Sequence, residues 1–343
     1  MRGRKKTGLK NLGGDMEKMM KKNLKQKGIA VFLVLLIGMV LAVGTVNAQE
    51  NIKESGIGEE IAVSNPEINI PLKPVFDLTA EQVTELTEKG IIKNYPDGTR
   101  GINLYEALKE IKGNQSLTTS DIKAEIKAGE YRHALMRTWH PWDQYRYRGH
   151  KYYVKIPANV NLNPQTSFNI YSTHLVRPNE DDFLEVGVGW FQGNKEKSVW
   201  GTGGGLKLFA FDSRDGYLCF RSIPSGVSRD IFLRVNVVYP SGQYVGYLYA
   251  SDPYTGNTIN WPVHGWYGLD HRITESQEQH SSSQVWTSTP QAKRHDHIIK
   301  NRNNQWIDWN MPWPTTQFWV ESPLKQTNGK ENNRWYTKSW CEV

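Results

Sequence analysis

The feature that most constrains the fold is alternation of apolar and other side chains in the second half of the chain. Ile231, Leu233, Val235, Val237 and Tyr239 alternate with Phe232, Arg234 and Asn236, and Leu184, Val186, Val188 and Trp190 alternate with Phe183, Glu185, Gly187 and Gly189. Successive side chains of a strand point to opposite faces, so a period of two places one aliphatic row of each segment in a core. Further strands are expected at 151–157, 166–175, 205–212, 216–223, 243–251 and 315–321, with turns such as Ser213-Arg214-Asp215-Gly216 and Pro240-Ser241-Gly242 between them. No convincing helix interrupts them, which argues against a parallel α/β sheet. The expected fold class is all-β: a two-sheet antiparallel sandwich of the lectin or jelly-roll kind over residues 131–343, behind a short helical segment.

The composition changes near residue 130, since all 13 tryptophans lie at or beyond Trp139. At the other end, residues 1–48 read as a signal peptide: Lys21, Lys22, Lys25 and Lys27, then an apolar run from Ile29 to Val43, then Val46-Asn47-Ala48 at the cleavage positions. Met16, Met19 and Met20 are alternative starts. The competing expectation is an uncleaved anchor, because the apolar run approaches the roughly 20 residues that span a bilayer. Export is the expected localisation, with any membrane contact made through the leader.

The net charge of +7 belongs to that leader. Residues 1–48 hold ten Lys or Arg and two acids, leaving 32 basic against 33 acidic groups in the remainder. Nucleic-acid binding needs clustered cations that release counterions, so no nucleic-acid partner is expected. Two cysteines, Cys219 and Cys341, are free to pair in an oxidising compartment or to stay as buried thiols. No Cys or Cys/His spacing suggests zinc.

Residues 49–75 are polar and Pro-punctuated, a composition expected to form a disordered linker. In 76–130, Asp77 or Thr79 can cap a helix that Gly90 stops, and a second helix from Asn103 carries Leu104, Ala107, Leu108 and Ile111. Between them stands Gly90-Ile91-Ile92-Lys93-Asn94-Tyr95-Pro96-Asp97-Gly98-Thr99. This arrangement resembles a single S-layer homology repeat, with Asn103-Leu104-Tyr105-Glu106 where that family usually has Thr-Arg-Ala-Glu. The resemblance implies attachment to a cell-wall polymer and retention at the wall.

Alternation also says which side chains share a face. Gln317, Trp319 and Glu321 project together, and Glu185 and Arg234 face away from their aliphatic rows. A face holding two carboxylates, an amide, a guanidinium and an indole suits a sugar or a peptide. The leading expectation is noncatalytic binding of a glycan through Trp319, Gln317 and Arg234, with Trp306, Trp309 and Trp313 of the Trp306–Trp313 stretch as further platforms. The alternative is a hydrolase on the same face with Glu321 and Glu185 as acid and base, and a third possibility is a structural surface protein. The segment Gln317-Phe318-Trp319-Val320-Glu321 resembles the glutamic peptidases and their neprosin-like relatives, which have a Glu-Trp-Ile-x-Glu stretch; Glu321 aligns with its final acid and Gln317 with its first. That resemblance implies a two-sheet sandwich over about 150–341 and a Gln and a Glu on its concave sheet.

No metal and no cofactor is expected. His295-Asp296-His297 lacks a third ligand, Asp212 and Asp215-Gly216 miss the spacing of a calcium loop, and Gly201 to Gly205 opens no helix. Most tryptophans are expected in the core, with two or three exposed.

Overall fold

A computed structural model describes residues 72–124, 130–139, 146–178, 182–194, 196–312 and 315–343. The expected leader, most of the expected linker, Trp142 and Trp313 lie outside the described residues. No described helix is long and apolar enough to cross a membrane.

Strand β1 (Asp77–Thr79) leads into helix α1 (Ala80–Glu88), where Thr79 and Gln82 exchange the two bonds of a capping box. Gly90, at φ 72°, ends that helix and starts the hairpin β2 (Ile92–Asn94) and β3 (Arg100–Asn103). Asn103 then caps α2 (Leu104–Lys112), and a short α3 (Thr119–Ala124) follows. Next come β4 (Tyr131–Thr138), β5 (Tyr147–Ile156), β6 (Thr166–Val176), β7 (Phe183–Phe191), β8 (Lys197–Val199), β9 (Gly205–Asp212) and β10 (Tyr217–Ser222). They are succeeded by β11 (Arg229–Val238), β12 (Val245–Asp252), β13 (Asn257–His264), β14 (Arg272–Ser281), β15 (Thr289–Asn301) and β16 (Trp306–Asp308). The chain finishes with β17 (Thr316–Val320), β18 (Leu324–Glu331) and β19 (Arg334–Cys341).

The strands form an antiparallel sandwich. Its larger sheet runs β17-β4-β14-β6-β7-β9-β10-β3-β2 and its smaller one β13-β12-β11-β5-β15-β19-β18. The aliphatic rows named above meet between them: Leu184, Val186 and Val188 of β7 pack with Leu233, Val235 and Val237 of β11 in one core. Apolar area removed from water on this scale is the main force holding two sheets face to face.

A second core lies on the far side of the larger sheet. There Phe168, Phe183, Phe191, Phe209 and Phe211 are covered by Leu78, Leu86, Leu104 and Leu108 of the segment that precedes β4. Residues 76–124, expected as a helical segment ahead of the sandwich, are therefore built into it. Their hairpin continues the sheet through β3 and β10, with Ile102 opposite Leu218. Residues 72–75, expected to belong to a disordered linker, are packed as well: Lys73 is buried, and Leu72 and Val75 join the second core. The reason is legible in β7 and β9, which are apolar on both parities and so need cover on both faces.

Cys219 and Cys341 are both buried and are not bonded to each other. No described tryptophan is among the fully exposed apolar side chains, against the two or three expected.

Candidate active site

Register places side chains on the outer face of the larger sheet in rows, because directly opposed residues of neighbouring strands share a face. One row reads Gln317, Arg137, Thr274, His174, Glu185. The next reads Trp319, Leu135, Ser276, Ser172, Gly187. A third contains His133, Glu278, Ile170 and Gly189, with Glu321 at the margin where it accepts bonds from the His133 backbone N–H at 2.8 Å and contacts its Nδ1 at 2.9 Å.

On this grid Glu185 of β7 and Glu278 of β14 flank β6 diagonally, and the residue between them is Ser172. Strands lie about 4.8 Å apart, so two long carboxylate side chains lean together over a small hydroxyl where no larger side chain fills the gap. His174 completes the group: its Nε2 is 3.4 Å from Glu185 and 3.5 Å from Glu278. One nitrogen and two carboxylate oxygens lie within 4.8 Å of one another, and all three side chains are fully buried. Such a triplet could ligate a metal ion, contrary to the expectation of no metal site, but a protein cation already stands there.

That cation is Lys73. Its Nζ donates to Glu185 Oε2 at 2.8 Å and Oε1 at 3.1 Å, and makes a longer contact of 3.5 Å to Glu278 Oε2. Glu278 Oε1 accepts from the Ser276 hydroxyl at 2.7 Å, and the Phe168 ring lies 5.7 Å from the ammonium. Burial pushes the Glu185 carboxyl up, but the Lys73 ammonium and His174 pull harder and hold it down at about 2. Burial likewise depresses Lys73, yet the two carboxylates outweigh it and raise its pKa above the ordinary lysine value.

The backbone carrying Lys73 is held as firmly as its side chain. The Tyr131 hydroxyl donates to the Lys73 carbonyl, the Trp200 indole Nε1 donates to the Pro74 carbonyl at 2.8 Å, and the Trp200 N–H donates to the Phe76 carbonyl at 3.0 Å. β1 then pairs with β8 and fixes the end of the segment.

The sequence-derived site residues separate into three places. Glu185, Gln317, Trp319 and Glu321 do share one face, but Gln317 stands four strands from Glu185, about 19 Å away at ordinary strand spacing. Gln317 instead accepts from Arg137 Nε and Nη2 at 3.1 and 3.0 Å. Glu321 is engaged by His133, which with Arg132 outweighs the upward push of burial and lowers its pKa. The expected acid–base pair of Glu321 and Glu185 is therefore not assembled; the partner of Glu185 is Glu278. Arg234 belongs to β11 and lies on the other sheet, where Trp306 also sits. Trp309 is buried and donates from Nε1 to Thr316 at 2.9 Å, so it is a core residue rather than a platform. His295 faces Asp230 while His297 is buried against His150 at 3.0 Å, the two thrown to opposite sides by a bulge at Asp296.

Alternation missed Glu278, His174 and Lys73 for two reasons. All ten residues of β14, Arg-Ile-Thr-Glu-Ser-Gln-Glu-Gln-His-Ser, are buried although only one is aliphatic. Lys73 sits in a segment whose composition signals loop. The available hint was Thr166–Val176, where a strand pattern carries His174 on the face opposite Leu175.

No family model and no curated protein matches the chain. Among solved structures, similarity is found to scytalido-glutamic peptidase with a peptide-based transition-state analogue, at 11% identity and a TM-score of 0.40 over 62% of this chain and 98% of that one. The same peptidase with a transition-state analogue inhibitor gives 11% and 0.39, and SCP-B, a member of the Eqolisin family of peptidases in complex with the tripeptide Ala-Ile-His, gives 12% and 0.35, each over 62% of this chain and 98% of its own. Likeness of this degree leaves the chemistry to the side chains themselves.

Proposed function

We propose that this chain is a latent hydrolase of polypeptides, exported through its leader, with Glu185 and Glu278 as the acid–base pair and its own N-terminal segment closing the site through Lys73. One observation carries the reading: a fully buried ammonium lies between two fully buried carboxylates, 2.8 Å from Glu185 and 3.5 Å from Glu278, with His174 the further nitrogen beside both.

With Lys73 in place both carboxylates are engaged by its ammonium, and Glu185 is held in its ionised form. Once Lys73 withdraws, two carboxyl groups in a low-dielectric hollow share a proton, since both cannot ionise side by side. The ionised member then takes a proton from water as that water attacks the scissile carbonyl, and the protonated member gives its proton to the departing amine. His174 is placed to fix which carboxyl keeps the proton. The polypeptide assignment is supported by Tyr131 and Trp200, whose donors now hold the main-chain carbonyls of Lys73, Pro74 and Phe76 and would hold those of a substrate.

Acid should open the site. Glu185 has its folded pKa depressed from the ordinary 4.5 to about 2, so its contribution to closure is present above 4.5 and is lost as pH falls toward about 2. The test compares the full chain, Lys73→Gln and Lys73→Gln/Glu278→Gln on denatured casein at about pH 4, near the ordinary carboxylate range. Turnover by Lys73→Gln that the second substitution removes is the expected result. A folded Lys73→Gln protein that yields no product between about pH 2 and pH 6 would refute the assignment.

A further inference from the structure

The outer face of the smaller sheet holds a second constellation, independent of the carboxylate pair. One row places Tyr249, Arg234, Lys151 and Ile298 side by side. The rows on either side contribute Phe232 with Tyr153, and Lys300 with Trp306. Tyr153 is exposed and Arg148, Lys151, Phe232, Arg234, Tyr249 and Trp306 are half-buried, so these groups reach solvent, while Lys300 is buried beside the Trp306 ring.

Cations and rings interleave closely. Lys151 Nζ lies 4.7 Å and Lys300 Nζ 5.8 Å from the Trp306 ring centroid, and the Arg234 guanidinium lies 5.0 Å from that of Tyr249. Tyr153 and Phe232 touch at 5.1 Å between centroids, and Phe232 and Tyr249 at 5.9 Å. Among the described residues, none of Arg148, Lys151, Arg234 and Lys300 has an acidic partner. The acids near this face are already used: Asp230 and Asp296 contact His295, and Asp308 pairs with Arg334 at 2.6 Å. Lys300 shows the resulting strain, its pKa lowered by burial and then by the charges of Arg148 and Arg234. Like charges gathered without counter-charge, on a protein otherwise near neutrality beyond residue 48, call for an anion from outside.

We infer that this face binds an acidic polysaccharide, with Arg148, Lys151, Arg234 and Lys300 meeting its carboxylates and Trp306, Tyr249 and Tyr153 packing against its sugar rings. Spacing favours that polymer over duplex nucleic acid. A polyuronate carries one charge per sugar and an apolar ring face between charges, matching cations set apart by rings. A duplex carries one charge per about 1.7 Å and rewards a long basic stripe, which is missing here.

The experiment titrates the full chain with polygalacturonate, neutral dextran and single-stranded DNA, read by tryptophan fluorescence and calorimetry. Binding to polygalacturonate alone is expected, weakening steeply between about 50 and about 200 mM salt. Lys151→Gln/Arg234→Gln and, separately, Arg148→Gln/Lys300→Gln should each lower affinity by about tenfold or more with melting temperature kept. Equal affinity for dextran, DNA binding as tight as polygalacturonate, no binding of polygalacturonate, or unchanged affinity in both double variants would each overturn the inference. None of these outcomes bears on Glu185 and Glu278, whose test is turnover.

Discussion

The two outer faces of the sandwich solve the same problem in opposite ways. On the larger sheet, charged groups are buried and matched: Lys73 meets Glu185 and Glu278, and helices α1 and α2 roof the aromatic rows around them. On the smaller sheet, Lys151 and Arg234 are half-buried and have no acidic partner among the described residues, and aromatic rings flank them instead. Burial makes a charge expensive unless its partner is held in place, whereas a half-exposed charge is screened and costs little. A site that must be kept shut belongs on the first kind of surface, and a site that must meet its partner freely belongs on the second.

Breaking the first face should therefore have the larger consequences. In acid-opened protein, Glu278→Gln should lower turnover about a thousandfold or more, because removing one member of an acid–base pair forfeits proton transfer; assay of casein hydrolysis checks this. Lys73→Ala should cost about 3–5 kcal/mol in urea denaturation at neutral pH, since it leaves two buried carboxylates uncompensated. Trp309→Ala should cost a similar amount, about 3–5 kcal/mol, by opening a cavity and removing one of the two bonds of the Thr316 hydroxyl, in contrast to the small loss expected of a surface platform. Acid should weaken the closed form progressively as pH falls from 4.5 toward about 2, the window set by Glu185; Glu185→Gln should flatten that part of a stability profile. The smallest effect is expected on the second face, where Lys151→Ala should change stability by less than about 0.5 kcal/mol while still weakening polyanion binding.

The same contrast explains what alternation could reveal. β11 was plain because one parity is aliphatic and the other faces water, which is the condition that a period of two reports. β7 was half plain: its aliphatic row gave the strand, while Phe183 and Phe191 on the other parity signalled a second cover. β14 was opaque, because its burial rests on cross-strand polar matches rather than on hydrophobicity. Gln277 donates to Asn169 at 2.8 Å, Gln279 to the Thr287 carbonyl at 2.9 Å, and Glu275 accepts from Thr337 at 2.9 Å. Asn169 and Thr337 lie on other strands and Thr287 in the loop after β14, so nothing within β14 announces them. Glu185 was singled out by its position opposite an aliphatic row, yet its true companions, Glu278 and Lys73, are 93 and 112 residues away in sequence.

The hairpin that carries β3 fixes what kind of opening the molecule can tolerate. Because β3 is hydrogen-bonded into the larger sheet and α1 and α2 rest on its phenylalanines, detaching everything before β4 would bare a greasy floor and an unpaired strand edge, an invitation to aggregate. Freeing only the few residues around Lys73, by a nick or by acid, would pull the stopper while the lid over the aromatic rows stays bolted down.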